Sequence, residues 1–238
     1  MYHHRSTLGP VELAFTDRHG GVSGAPFDSL NLAFFEDGER TVPQRNLALV
    51  LDDFAPGCEV ADLSQVHGRH VVVAAPGEHR SEGDGIVTDR PDVVLLVRAA
   101  DCVPVLLADP VAGVLGAAHA GRPGVAAGVV PATVEAMRDL GATDVTAWIG
   151  PHVCGACYEV PADLQAEVAA IVPATRATTS WGTPALDLGA GVRAQLEALD
   201  VRVVDVSACT RESPDLFSYR RDGADSGRLA GLIRRGVS

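Results

Sequence analysis

The chain has 238 residues, 47% of them apolar, with a formal net charge of −12 and a pI near 5.0. That composition supplies a buried core and excludes a disordered or fibrous chain. The acidic balance removes the basic surface that nucleic acid or an anionic membrane requires, so a small substrate in a pocket is the expected partner. All 19 basic residues are arginine. The P-loop lysine, the Schiff-base lysine and the pyridoxal-phosphate anchor are excluded with them.

In chain order, Val11 to Thr16 reads as a strand, followed by a turn-rich stretch from Asp17 to Gly24. Thr41 caps a predicted helix with Pro43 in its first turn, running to Asp53. Strands are predicted for Val60 to Val66 and His70 to Ala74, with the bend at Gly68. The central runs Gly85 to Thr88, Val93 to Val97, Val103 to Ala108 and Val114 to Ala118 are bounded by Pro, Gly or Asp, the pattern of buried strands. Residues 109–113 read as the loop of a hairpin joining the last two. A helix from Val125 to Leu140, interrupted at Pro131, should follow. Then come a strand from Val145 to Ile149, a loop through Cys157, helices from Ala162 to Ile171 and Leu188 to Leu199, and a strand from Val201 to Val206. The tail from Phe217 to Leu232 shows no clear period. No repeat or long linker divides the chain, so residues 1–238 are expected to form one domain of mixed α and β character.

Five cysteines and an N-terminus without an apolar leader argue against a disulfide framework and point to the cytoplasm. The strongest apolar run, Val93 to Val97, ends at Arg98 and is far too short to span a bilayer. GxGxxG, HExxH, GxSxG and Walker A patterns do not occur.

His and Cys residues at strand ends carry the chemistry that remains. His67 ends one predicted strand, Cys102 sits between two, and His119 ends the second strand of the hairpin. Two imidazoles and a thiolate suit zinc, and three protein ligands leave a fourth position for water or substrate. Zinc there would lower the pKa of bound water to roughly 7. Taken singly, however, a buried cysteine reads first as a small hydrophobe and a histidine as a hydrogen-bonded filler. The gaps of 35 and 17 residues match no compact zinc motif. Cys154-Gly155-Ala156-Cys157 is formally a CxxC, but Pro161 delays the following helix and no second CxxC exists. It reads as a loop with a structural or pocket-lining role rather than a redox motif. Arg122, just after His119, is a candidate anion clamp or a solvated arginine. Asp101 either orients a ligand and carries protons or closes a turn. Arg220 and Arg221 are equally open.

Gln65-Val66-His67-Gly68, Ala100-Asp101-Cys102-Val103-Pro104-Val105-Leu106 and His119-Ala120-Gly121 resemble the three zinc-ligand motifs of the laccase-domain family, whose members are also called multicopper polyphenol oxidases and are associated with purine nucleoside phosphorylase activity. The resemblance extends over nearly the whole chain, from Thr16-Asp17-Arg18-His19-Gly20-Gly21-Val22-Ser23 and Ser29-Leu30-Asn31-Leu32 to Gly150-Pro151, Cys157-Tyr158-Glu159-Val160, Cys209-Thr210 and Phe217-Ser218-Tyr219-Arg220-Arg221-Asp222-Gly223. It implies an α+β fold, a mixed α/β sandwich with central mixed sheets, and zinc held by His67, Cys102 and His119. It further implies phosphorolysis of adenosine, inosine and methylthioadenosine, with hydrolytic deamination of adenosine. Arg45, in the family's Asn-Arg element, becomes a candidate phosphate contact, with Asn31 and Gln65 as substrate contacts and Asp101, Cys102 and Arg122 as catalytic candidates. One departure stands out: the family's His-Ala-Gly-Trp-Arg-Gly is here His119-Ala120-Gly121-Arg122-Pro123-Gly124. The rival readings are a cysteine hydrolase using Cys102 with His119 or His67, of the kind that edits peptidoglycan precursors, a copper-dependent polyphenol oxidase, and a silent partner-binding protein with a structural metal. No association segment is visible, so a monomer is expected.

Overall fold

The apolar runs of the sequence assemble into two six-stranded sheets laid face to face, and the computed structural model describes residues 1–34, 41–75 and 80–236. In chain order the elements are β1 (Tyr2–Leu8), β2 (Val11–Thr16), α1 (Thr41–Phe54), β3 (Glu59–Ser64), β4 (Val71–Val73), β5 (Ser81–Glu82), β6 (Gly85–Thr88) and β7 (Val93–Ala99). They continue with β8 (Val103–Asp109), β9 (Val114–Ala120), α2 (Arg122–Ala127), α3 (Val129–Asp139), β10 (Thr146–Ile149), α4 (Ala162–Ile171), β11 (Arg176–Thr178) and β12 (Pro184–Leu186). The last are α5 (Leu188–Glu197), β13 (Arg202–Asp205), α6 (Tyr219–Asp222) and β14 (Leu229–Arg235). One sheet has the order β1-β2-β14-β7-β3-β5 and the other β13-β10-β8-β9-β6-β4; both mix parallel and antiparallel pairs.

Strand alternation distributes the apolar side chains between layers. In β7, Val93, Leu95 and Val97 face the inter-sheet core, while Val94 and Leu96 pack under α1 with Val50 and Phe54. In β8, Leu106 and Ala108 enter the same inter-sheet core, while Val103, Val105 and Leu107 meet the helices α3 and α5. Both faces of these strands are covered, and they read in sequence as unbroken hydrophobic runs.

Two expectations need correction. The long helix breaks at Gly128, not at Pro131. Gly128 has φ +82°, caps α2 and starts α3, whereas Pro131 lies in the first turn of α3, where a missing N–H is tolerated. The expected bend at Gly68 is present, spanning residues 67 and 68, and its positive φ falls at His67 (φ +61°). The aperiodic tail contains β14, an interior strand between β2 and β7, so its burial on both faces hid its period. Strands β1, β5, β11 and β12 were also not anticipated.

The chain passes from one sheet to the other at three nearby corners: β3 to β4, β5 to β6, and β7 to β8. His67 lies in the first corner, Asp84 in the second, and Asp101 and Cys102 in the third. Among the described residues no helix is long and apolar enough to cross a membrane.

Candidate metal centre and its cavity

His119 enters the site from β9, where it pairs with Pro104 of β8. His67 and Cys102 come from corners, where the backbone turns sharply: Asp101, directly before Cys102, has φ +86°. The ligating atoms of His67, Cys102 and His119 lie within 4.8 Å of one another. The two imidazoles meet edge to face, with ring centroids 4.8 Å apart. His119 is buried, Cys102 is half-buried and His67 is exposed, so one side of the donor set opens outward.

A residue absent from the sequence reading holds this geometry. Asp84 is fully buried, and its Oδ1 lies 2.8 Å from Nδ1 of His119. The same carboxylate accepts hydrogen bonds from the backbone N–H groups of Val66 at 3.2 Å, His67 at 3.0 Å and Gly68 at 2.6 Å. One side chain therefore anchors two of the three ligands, leaving Nε2 of His119 for a metal. Burial pushes the Asp84 carboxyl up, but its bonds to His119 and to the Gly68 and His67 amides outweigh this and hold it below the usual range. Burial likewise raises the Cys102 thiol and lowers the His119 imidazole. Their mutual charge, with the hydrogen bonds to His67 and Asp84, reverses both shifts, favouring a thiolate beside an imidazolium. Gly121 completes the crowding: a Cβ there would collide with Nδ1 of His67 and stand 3.1 Å from Sγ of Cys102.

The donor set borders a cavity of about 730 Å³, well sized for a small ligand. Among the described residues, five arginines line it, Arg80, Arg98, Arg122, Arg220 and Arg228, with one carboxylate, Asp101. Arg98 is buried between Asp62 and the carbonyl of Leu32, and among the described residues its Nη2 has no hydrogen-bond partner. Burial lowers its pKa to about 10, with Asp62 opposing that fall, so it stays charged. Phe34, Tyr158 and Tyr219 add aromatic surface, with Arg98 over the Phe34 ring and Arg220 over Tyr158.

The sequence candidates divide. Asp101, Cys102, Arg122 and Gln65 reach the cavity. Asp101 accepts from Thr210 Oγ1 at 2.6 Å and from the Arg220 amide at 2.5 Å, so it braces the corner beside Cys102. Gln65 exchanges two hydrogen bonds with the backbone of Arg98, tying the His67 corner to the end of β7. Asn31 is buried, and its Oδ1 accepts from the amides of Ala33 and Arg228. It positions Arg228 rather than lining the cavity. Arg45 is exposed on α1 and outside the cavity lining. Asp84, Arg80, Arg98 and Arg228 escaped the sequence reading. Gly83 and Gly85, flanking Asp84, were the available signal for a crowded turn there.

The family model described as multi-copper polyphenol oxidoreductase laccase matches residues 12–236. The chain belongs to this family. A purine nucleoside phosphorylase of Streptomyces coelicolor is 52% identical over 98% of this chain and 99% of its own length. A purine nucleoside phosphorylase of Mycobacterium tuberculosis is 44% identical, covering 92% and 89%. The crystal structure of a Neisseria meningitidis protein, assigned to the DUF152 family, superposes with a TM-score of 0.87 at 31% identity, covering 98% and 99%. The chain thus shares the laccase-like family's fold along nearly its whole length, and its relatives are named as enzymes.

Proposed function

We propose that this protein is a zinc-dependent purine nucleoside phosphorylase. The observation that carries this reading is the arginine-lined cavity beside a His, Cys, His donor set, in a chain whose net charge is −12. Five guanidinium groups concentrated in one cavity of an acidic protein favour a small polyanion such as phosphate. The names of the relatives point to the same activity.

The donor set fits zinc: two imidazoles, one thiolate, a carboxylate bonded to the far nitrogen of His119, and an exposed side. His67, Cys102 and His119 would hold the ion, which would supply Lewis acidity beside the substrate. The remaining work falls to the chain itself. Arg122, Arg220 and Arg228 hold phosphate, while Phe34, Tyr158 and Tyr219 offer faces for a purine ring and exclude water around it. A phosphate oxygen attacks C1′ of the ribose, the C1′–N9 bond breaks, and its electron pair leaves with the base. Adenosine gives adenine and ribose 1-phosphate; inosine and methylthioadenosine react in the same way at their own glycosidic bonds. Hydrolytic deamination of adenosine, giving inosine and ammonia from water, is the second activity assigned to the cavity. Asp101 positions the Cys102 corner, because both its oxygens are engaged by Thr210 and Arg220.

Incubation with adenosine, with and without phosphate, tests the reading. Adenine formed only with phosphate supports phosphorolysis, and inosine in both samples supports deamination. Adenosine untouched in both overturns the proposal. One observation favours a second reading: the Cys102 sulfur lies within 4.8 Å of the donor nitrogens of His67 and His119, which is also the pairing of a cysteine hydrolase. Loss of turnover on thiol alkylation with zinc still bound would favour it. Copper-dependent phenol oxidation is poorly served by a set of three donors that holds a single ion.

A further inference from the structure

A second cluster of soft donors lies outside the cavity. Cys154 and Cys157 occupy the segment leaving β10, and Cys209 and Glu212 the segment leaving β13. These strands are parallel neighbours, so both segments emerge at the same end of the sheet. The backbone then zips them together. His152 and Cys209 form a parallel bridge, His152 N donates to Ala208 O at 3.1 Å, and Thr210 N donates to His152 O at 3.0 Å. Amides of Cys157 and Tyr158 both donate to the carbonyl of Cys154 at 3.0 Å, which folds the CxxC into a tight turn. Within this frame the Cys154 amide points at Sγ of Cys209, 3.5 Å away, and Sγ of Cys157 lies 3.5 Å from Oε1 of Glu212.

We infer that Cys154, Cys157, Cys209 and Glu212 form a second, structural zinc site. Their four ligating atoms lie within 4.8 Å of one another. Tetrahedral zinc with sulfur ligands at about 2.3 Å would set sulfurs roughly 3.8 Å apart, a small contraction from this arrangement. Three thiolates and a carboxylate suit zinc and are a poor match for the hard cations that prefer all-oxygen sites. Four protein donors close the coordination shell, as structural sites do, whereas the His67, Cys102, His119 set leaves it open. The turn is braced from behind: a Cβ on Gly155 would stand 2.7 Å from Cβ of Asp187, the residue that caps α5.

The site also explains how a remote loop reaches the catalytic corner. Thr210, next to Cys209, donates to Asp101, and Val153, next to Cys154, donates its amide to the carbonyl of Asp101. Both ends of the clip therefore hold the residue preceding Cys102. An ion there fixes the corner through two independent hydrogen bonds while standing outside the cavity lining.

The test is metal stoichiometry of the full chain, which does not depend on any activity. The wild type should carry two zinc ions and Cys102→Ser one. Cobalt(II) loaded into Cys102→Ser should show the strong thiolate charge-transfer absorption of a multi-cysteine tetrahedral site. Glu212→Gln, an exposed change, should keep the fold by circular dichroism yet lose the second ion to a competing chelator at least about tenfold more readily. One zinc in the wild type and none in Cys102→Ser overturns the inference, as does a disulfide among Cys154, Cys157 and Cys209 in non-reduced peptide maps.

Discussion

Asp84 and His119 are joined twice: carboxylate Oδ1 to imidazole Nδ1 at 2.8 Å, and the His119 amide to the Asp84 carbonyl at 2.7 Å. The first contact orients the ring and the second sets the register of β9 beside β6. Because the same carboxylate also collects the amides of the His67 corner, the spacing of the two imidazoles depends on one buried residue.

Asp84→Asn should therefore weaken metal binding by about 10–100-fold, since it can no longer accept from every one of these donors. A chelator competition titration measures this. Equal affinity for variant and wild type would show that the carboxylate does not organise the site.

Gly121→Ala should fold and yet hold metal at least about tenfold less well, because the new methyl group displaces His67 from its productive geometry. Gly24→Ala is the control, since a Cβ at Gly24 meets nothing within 4 Å. Metal content after dialysis should separate the two.

Arg122 and Arg45 make opposite predictions. Arg122→Ala removes a cavity guanidinium and should raise KM for phosphate about 10–100-fold, as loss of a charged hydrogen bond of about 1.5–3 kcal/mol requires. Arg45→Ala, on the exposed side of α1, should leave it unchanged. Initial rates over a phosphate series give both values, and a large effect at Arg45 alone would relocate the phosphate site.

Asp109 is a stability switch away from the cavity. Its buried carboxylate accepts the amides of Val111 and Ala112 on Oδ1 and those of Thr143 and Asp144 on Oδ2. Burial raises its pKa, but these four bonds outweigh that and lower it. A carboxyl depressed in the folded state stabilises above the unfolded pKa near 3.9 and loses that contribution as pH falls through the folded value. Asp109→Asn turns an N–H toward two amide donors, so it should cost about 1–3 kcal/mol at neutral pH and flatten the acid limb. Urea unfolding from pH 7 down to pH 3 checks both effects.

Much of the fold was legible locally. The central strands announce themselves as apolar runs between Pro, Gly and Asp, and β7, β8 and β9 fall within two residues of the expected bounds. Strand β14 was not legible, because its neighbours β2 and β7 both lie far upstream in sequence and only their pairing creates its place. Of the site, the His and Cys residues stood out by residue type and through the motifs around them. Asp84, Arg98 and Arg228 did not, since an aspartate between glycines or one arginine among 19 has no distinguishing local pattern.

The sequence by itself determined which residue types were available: thiols and imidazoles at strand ends, no lysine, and enough unbroken apolar runs for a covered sandwich. Tertiary structure decided which of them act together. Residues 67, 84 and 102 converge because three chain crossings between sheets fall at neighbouring corners, and the pairing of β9 with β8 and β6 brings His119 beside them. Cys154 meets Cys209 because β10 and β13 run parallel. Local propensity is set within a few residues, whereas a site of this kind is set by the register of strands far apart in the chain, which no local pattern records.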